Sequence, residues 1–187
     1  MRKEPSHHTF MLANGETIVV RLATPADYPG ISRLIQDNFA HDDGYSGLSD
    51  EARAAYTAAN SLEGIHELCS HPQTLLCLVA AAEPGGEIIG FTVYRRGNHL
   101  VTGEEVAEGK RFQIARHMKS RGVGDNLLKV ARQLLREMGM KKTVGYTSGK
   151  ALAYFEKQGE KRVTTQDNPT LAQRGVKAES SYIEYLL

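Results

Sequence analysis

The 187-residue chain has no apolar run of about 18 residues, so nothing in it reads as a membrane-spanning helix. Charge of one sign is missing too. Lys and Arg number 23 against 22 Asp and Glu, a formal net charge of +1. Neither nucleic acid nor a membrane surface is therefore expected as a partner. Cysteine is scarce, and Cys69 and Cys77 do not form a metal-ligand pattern. Both are expected as small core residues in a reduced, cytoplasmic setting. The segment Met1 to His8 has no apolar stretch of the kind a signal peptide carries. Tryptophan is absent, which decides nothing. No Pro/Gly/Ser-rich linker, internal repeat or low-complexity tract divides the sequence. A single domain over residues 1–187 is expected, with residues 1–9 as a flexible N-terminal arm.

What is present alternates between strand and helix signals. Phe10 to Leu22 reads as a β-hairpin turning at Asn14-Gly15, with the β-branched run Thr17 to Leu22 as its second strand. Thr24-Pro25-Ala26-Asp27 reads as a helix start, with Thr24 as N-cap, Pro25 at N1 and Asp27 complementing the dipole. Ile31, Leu34 and Ile35 give that helix its apolar stripe. His41 to Ser49 reads as a polar loop. A helical region follows from about Ser49 to His71, with Gly64 as the point where it could split and Pro72 as its stop. Thr74 to Ala82 reads as a buried strand that pairs with Ile88 to Tyr94 across the turn Glu83-Pro84-Gly85-Gly86. Gly97 to Gly109 reads as a polar connector and Lys110 to Arg116 as a charged strand.

The clearest helix is Gly122 to Met138, lined by Leu127, Leu128, Ala131, Leu134, Leu135 and Met138 and closed by Gly139. Lys142 to Thr147 reads as a strand. Gly149 to Gln158 reads as a helix with Leu152 and Phe155 inward, closed by Gly159. Lys161 to Thr165 and Tyr182 to Leu187 are the last two strands. Hairpins and crossovers together predict an α/β (α+β) fold: one mixed, mostly antiparallel sheet of about six to seven strands with helices on both faces.

One junction carries chemistry. A strand ends, Lys119-Ser120-Arg121-Gly122-Val123-Gly124-Asp125 follows, and the strong helix begins. Backbone N–H groups at a helix start, with the positive end of the dipole, make an anion site. Two glycines remove side chains from the approach, while Lys119 and Arg121 add positive charge. Asp125 favours the helix and slightly opposes an anion. Position 127 is Leu, so the Rossmann fingerprint fails, and Asp125-Asn126 replaces the Lys-Ser/Thr of a Walker A loop. By spacing alone, the glycines could equally shape a tight strand-to-helix turn.

Lys119-Ser120-Arg121-Gly122-Val123-Gly124 resembles the Q/R-x-x-G-x-G/A signature of the GNAT N-acetyltransferase superfamily. Leu12 to Thr17 with Arg21 to Asp27 resembles the family's first hairpin and helix start. Ala153-Tyr154-Phe155-Glu156-Lys157-Gln158-Gly159 resembles its A-x-Y-E-K-x-G-F segment, and Tyr182 to Leu187 its closing strand. The resemblance covers nearly the whole chain. It implies acetyl-CoA or another acyl-CoA as co-substrate, with no metal. The pyrophosphate would rest on Lys119, Ser120, Arg121, Gly122, Val123, Gly124 and Asp125. The pantetheine arm would pair with Phe112, Gln113 and Ile114 of the preceding strand, and Ser148 matches a position that contacts the cofactor. A strand N–H would polarise the thioester carbonyl.

The resemblance also bears on the catalyst. Glu108 matches a position where some members carry the general base; as a plain residue it is a connector glutamate near Glu104 and Glu105. Phe155 stands where the family has its proton-donating tyrosine, and phenylalanine has no proton to give. Tyr154 is adjacent but turned by about 100° on a helix. Tyr154 or Tyr146 could act as acid, each could be a packed tyrosine, or the CoA thiolate could leave and be protonated by water. His117 falls in the turn before the glycine loop, where a solvated or phosphate-near histidine is a plainer reading than a base. Glu160 stands where the family prefers Phe. Asp42, Asp43 and Tyr45, with His41, Asp50 and Glu51, form an acidic, partly aromatic stretch suited to a cationic amine or to a soluble loop with an N-cap. The expected activity is transfer of an acetyl group from acetyl-CoA to a primary amine of a small molecule or protein. The alternatives are a catalytically weak acyl-CoA-binding sensor or partner, and the same fold with another acyl donor. The last strand and exposed helix faces could support a homodimer.

Overall fold

The computed structural model describes residues 7–41, 47–83, 85–147, 149–163 and 181–187. The chain divides into two compact units. The first holds Met1–Val93 with Arg111–Ala131, the second Tyr94–Lys110 with Arg132–Leu187.

In the first unit, β1 (His8–Met11) and β2 (Thr17–Leu22) form the expected hairpin. Gly15 sits there at φ +84°, where a side chain would be strained. The strand thus begins inside the expected arm. A 3-10 turn at Pro25–Asp27 leads into α1 (Tyr28–Ala40), which buries Ile31, Leu34 and Ile35. The Asp27 carboxylate fixes this entry. It accepts hydrogen bonds from Thr24 N (2.7 Å), Thr24 Oγ1 (2.9 Å) and both Nη atoms of Arg21 on β2 (2.7 and 2.8 Å).

Two helices replace the one expected after residue 49: α2 (Asp50–Ala59) and α3 (Leu62–Ser70). The break falls at Asn60-Ser61, not at Gly64. Ser49 Oγ and Ser61 Oγ cap the two helices by accepting from Ala52 N and Gly64 N, each at 3.2 Å. Gly64 has another role. A Cβ there would lie 2.4 Å from the Ala59 carbonyl oxygen, so glycine lets α3 start close against the end of α2. β3 (Thr74–Glu83) runs antiparallel to β2, with Ile18 opposite Ala82 and Val20 opposite Ala80. Cys77 is buried there, while Cys69 in α3 is only half-buried.

Two long strands belong to both units. β4 (Ile88–Asn98) and β5 (Glu105–Ile114) are joined by a tight turn. His99 N donates to Glu104 O at 2.8 Å, and Gly103 sits at φ +73°. Much of the expected polar connector is therefore strand. Its charges are compatible with a ladder because they pair: Arg96 with Glu105 at 2.8 Å, and Lys110 with Glu108 at 2.5 Å. Helix α4 (Val123–Glu137) follows a second 3-10 turn, Arg116–Met118. Leu127, Leu128, Ala131 and Leu135 of α4 are buried as expected, but Met138 lies past the helix end and is half exposed.

The second unit continues with β6 (Lys142–Thr147), α5 (Gly149–Lys157), β7 (Lys161–Val163) and β8 (Ser181–Leu186). β8 inserts between β6 and β7 and is antiparallel to both. Strand order is β1-β2-β3-β4-β5-β6-β8-β7. The sheet has eight strands rather than six to seven, because the short β1 and β7 both join. With five helices among the described residues, the fold is the mixed, mostly antiparallel α/β class expected. Among those residues no helix is long and apolar enough to cross a membrane.

Candidate active site

The glycine loop lies wholly in the first unit. Ala115 N donates to Ile89 O at 2.8 Å, ending β5, and the 3-10 turn closes with Met118 N on Ala115 O at 2.9 Å. Met118 and Val123 are buried and anchor the two ends, while Lys119, Ser120 and Arg121 between them are exposed. The backbone between the anchors turns left-handed twice, at Ser120 (φ +62°) and Gly122 (φ +88°). Serine there is uncommon. A Cβ on Gly122 would meet no atom within 4 Å, so its backbone angle, not crowding, demands glycine. Gly122 O accepts from Asn126 N and Asn126 Nδ2, each at 3.1 Å. That fixes the start of α4, and the N–H groups of a first helical turn are the ones without intrahelical partners. Val123 offers such a ligand only its backbone, because its side chain is core. Asp125 is exposed in the first turn.

Arg121 reaches Glu16 at 3.6 Å, both exposed. This loose pair leaves the guanidinium available to an anion. Beside the loop, a cleft of about 240 Å³ is lined by Glu16, Glu83, Glu87, His117, Met118 and Arg121, among others. His117 also borders a second cleft of about 610 Å³, which runs along Arg33, Asp37, Asn38 and His41 of α1. Asn38 was not legible as a site residue. Its buried amide donates to Gln113 Oε1 at 2.8 Å and to Ile114 O at 3.0 Å. It therefore ties α1 to two of the three residues expected to pair with pantetheine. Phe112, Gln113 and Ile114 are all half-buried in β5.

Glu108 and Tyr154 belong to the second unit. β5 and β6 are parallel, and their register covers only Ala107 with Thr143 and Glu108 with Val144. Glu108 is thus the last residue of β5 paired with β6. Side chains alternate faces along a strand. Glu108, Val144, Tyr146, Tyr182 and Glu184 then share one face, since Val144 lies opposite Glu184 and Tyr146 opposite Tyr182. Contacts on that face agree. The Tyr146 and Tyr182 rings are 5.4 Å apart. Lys142 bridges Glu104 at 2.5 Å and Glu184 at 3.5 Å. Buried His99 accepts at Nδ1 from Val101 N and Thr102 N, each at 3.2 Å, so Nε2–H is left to donate to Glu184 at 3.1 Å. Burial pushes the Tyr182 hydroxyl up to about 12, although the Leu100 N–H opposes this by donating to it. The Tyr146 hydroxyl is also raised, by burial first and then by the Glu108 carboxylate.

The opposite face holds the family-divergent residue Glu160. It is buried with Arg132 of α4, whose Nη2 donates to Glu160 Oε1 at 3.0 Å and whose guanidinium lies 3.6 Å from the Tyr185 ring centre. Burial raises the Glu160 carboxyl and Arg132 counters it. Gly159 at the end of α5 backs onto the same Tyr185 ring, where a Cβ would come within 3.4 Å. Tyr154 and Phe155 of α5 are both half-buried, with rings edge to face at 5.3 Å.

Asp42, Asp43, Tyr45 and Ser148 lie outside the described residues. Asp50 and Glu51, from the same acidic stretch, sit in the first turn of α2 behind the Ser49 cap. That is the helix-start reading of these two residues. Among the described residues no group of three His, Cys, Asp or Glu side chains could hold a metal ion. Sequence reasoning missed Asn38, His99 and Tyr182. The alternation Tyr182-Ile183-Glu184 was the one available signal, for Tyr182.

The model of the acetyltransferase (GNAT) family matches residues 42–159, more than half of the chain and including the glycine loop. No curated protein matches. Solved structures that share the fold include the following three. PaiA N-acetyltransferase from Thermoplasma acidophilum, solved with coenzyme A, has a TM-score of 0.69 at 17% identity, over 91% of this chain and 99% of that one. The GNAT domain of PAT from S. lividans has a TM-score of 0.68 at 20% identity, over 99% and 100%. Ribosomal-protein-alanine N-acetyltransferase from Brucella melitensis has a TM-score of 0.57 at 20% identity, over 90% and 99%. The chain belongs to the GNAT acetyltransferase family.

Proposed function

We propose that residues 1–187 act as one N-acetyltransferase domain that moves an acetyl group from acetyl-CoA to a primary amine of a small molecule or protein. The observation that carries this reading is the loop at the start of α4. Gly122 is held left-handed at φ +88° inside the family's signature, with Lys119 and Arg121 exposed beside it. Such a loop suits a pyrophosphate by its N–H groups, the dipole and two cations. Phe112, Gln113 and Ile114 would pair with pantetheine like an added strand. Ser148 would touch the cofactor, and Asp42, Asp43 and Tyr45 would meet a cationic acceptor.

Glu108 takes the amine proton, and a tyrosine of the second unit, Tyr154 or Tyr146, protonates the leaving thiolate. The amine nitrogen attacks the thioester carbon, the C–S bond breaks, and amide and free thiol result. A second reading, an acyl-CoA-binding protein with weak catalysis, draws on two observations. Phe155 occupies the usual tyrosine position, and the Glu108 carboxylate is already engaged by Lys110 at 2.5 Å. Calorimetry with acetyl-CoA and a thiol-release assay over small amines and peptide N-termini separate the two. Binding with turnover is expected. Binding without thiol release from any acceptor favours the second reading, and absence of binding removes both.

A further inference from the structure

Resting on the acetyltransferase reading, we propose that Tyr146, not Tyr154, gives the proton to the leaving thiolate, and that Glu108 returns one to it. Two observations of the second unit support this. First, Glu108 and Tyr146 lie on the same face, just where the β5–β6 ladder stops. Glu108 is opposite Val144, and Tyr146 is the next residue of β6 on that face. The Glu108 carboxylate is near enough for its charge to act on the Tyr146 hydroxyl. Gly159, two residues beyond the end of α5, lies against Tyr185, on the other face.

Second, Tyr146 is supported and open at once. Its ring rests on that of Tyr182, which is 1% exposed, while Tyr146 itself is 47% exposed. Tyr182 is excluded as the donor by its burial. Burial and the Glu108 charge keep the Tyr146 hydroxyl protonated above the ordinary tyrosine range, so it enters the reaction as a donor.

The cycle balances. Glu108 accepts a proton from the attacking amine. The C–S bond breaks and sulfur takes the hydroxyl proton of Tyr146. The tyrosinate left behind recovers a proton from the Glu108 carboxylic acid, and both groups return to their starting states. No further reactant is consumed.

The test compares Tyr146→Phe, Tyr154→Phe and wild type in thiol release, with acetyl-CoA affinity measured by calorimetry on each. Y146F is expected to bind acetyl-CoA as wild type does and to lose about 100-fold or more in turnover, the usual share of a general acid. Ultraviolet titration supplies a readout apart from activity. The tyrosinate transition that Y146F removes is expected to move to lower pH in Glu108→Gln, because the carboxylate no longer raises it. A wild type that turns over, with Y146F at the same rate, overturns the assignment. So does a loss confined to Y154F. A wild type that binds acetyl-CoA but releases no thiol overturns the enzyme reading itself, and Tyr146's role with it.

Discussion

Gly122 shows how a single residue can serve both fold and ligand. Its backbone lies at φ +88° with open space around the missing Cβ. Gly122→Val would force a branched side chain into the left-handed region, at roughly 1–2 kcal/mol or more, and set its methyls where an anion would approach. Loss of acetyl-CoA affinity in calorimetry is expected, with only a modest drop in the urea midpoint; unchanged affinity would remove the loop from the site. Asp27 is the corresponding residue at the entry to α1. Burial works against its charge, but bonds from Arg21 and Thr24 win and hold the carboxyl below its usual range. A lowered carboxyl stabilises the fold above its ordinary pKa, and that contribution is lost as pH falls through the lowered value. Asp27→Asn is therefore expected to cost about 1.5–3 kcal/mol near neutrality and to flatten the acid limb of stability against pH. Urea melts between neutral and acid pH report both, and parallel limbs for mutant and wild type would refute the pairing.

At the scale of elements, what was legible followed how local its cause was. The Asn14-Gly15 turn, the Thr24 start and the stripe of α4 are each set within a few residues, and the structure has all three. The division between α2 and α3 went to Asn60-Ser61 because Ser61 supplies a cap, whereas Gly64 is needed for clearance. β5 began earlier than its charges suggested, since those charges are neutralised by partners on β4 or on β5 itself. The family's Phe after Gly159 is Glu160 here, and only the structure shows its partner, Arg132, on α4. This buried pair makes a test between elements. Removing either partner alone, as in Arg132→Met or Glu160→Leu, leaves a buried charge and is expected to cost about 3–5 kcal/mol, while the double substitution is expected to be near neutral. Additive costs in the double mutant would show that the two side chains act independently.

For the whole molecule, family and fold were readable from the order of motifs, while the face that Glu108 and Tyr146 share was not. That Glu108, Tyr146 and Tyr182 share a face depends on the register of β5, β6 and β8, and a shift of one residue in any strand would reverse it. Motif spacing along the chain holds no record of such a register. Tyr154 drew attention by its neighbour in sequence, Tyr146 by its neighbour in space. Asp42, Asp43 and Tyr45 lie outside the described residues, while Asp50 and Glu51 of the same acidic stretch form a helix start.

The place of β8 between β6 and β7 has a consequence for how the chain matures. Both neighbours are synthesised before the strand that joins them. Until Ser181–Leu186 emerges, β6 presents an open edge, and Val106 and Val144 lack Tyr182, the largest member of their cluster. The second unit is thus expected to be the late-maturing part of the nascent polypeptide, exposed to chaperones and to mispairing while the first unit is already made. A chain stopped after residue 180 should be cut by protease within 132–163 and spared within 74–93. Equal resistance in both stretches would mean that β6 and β7 hold together without the strand between them.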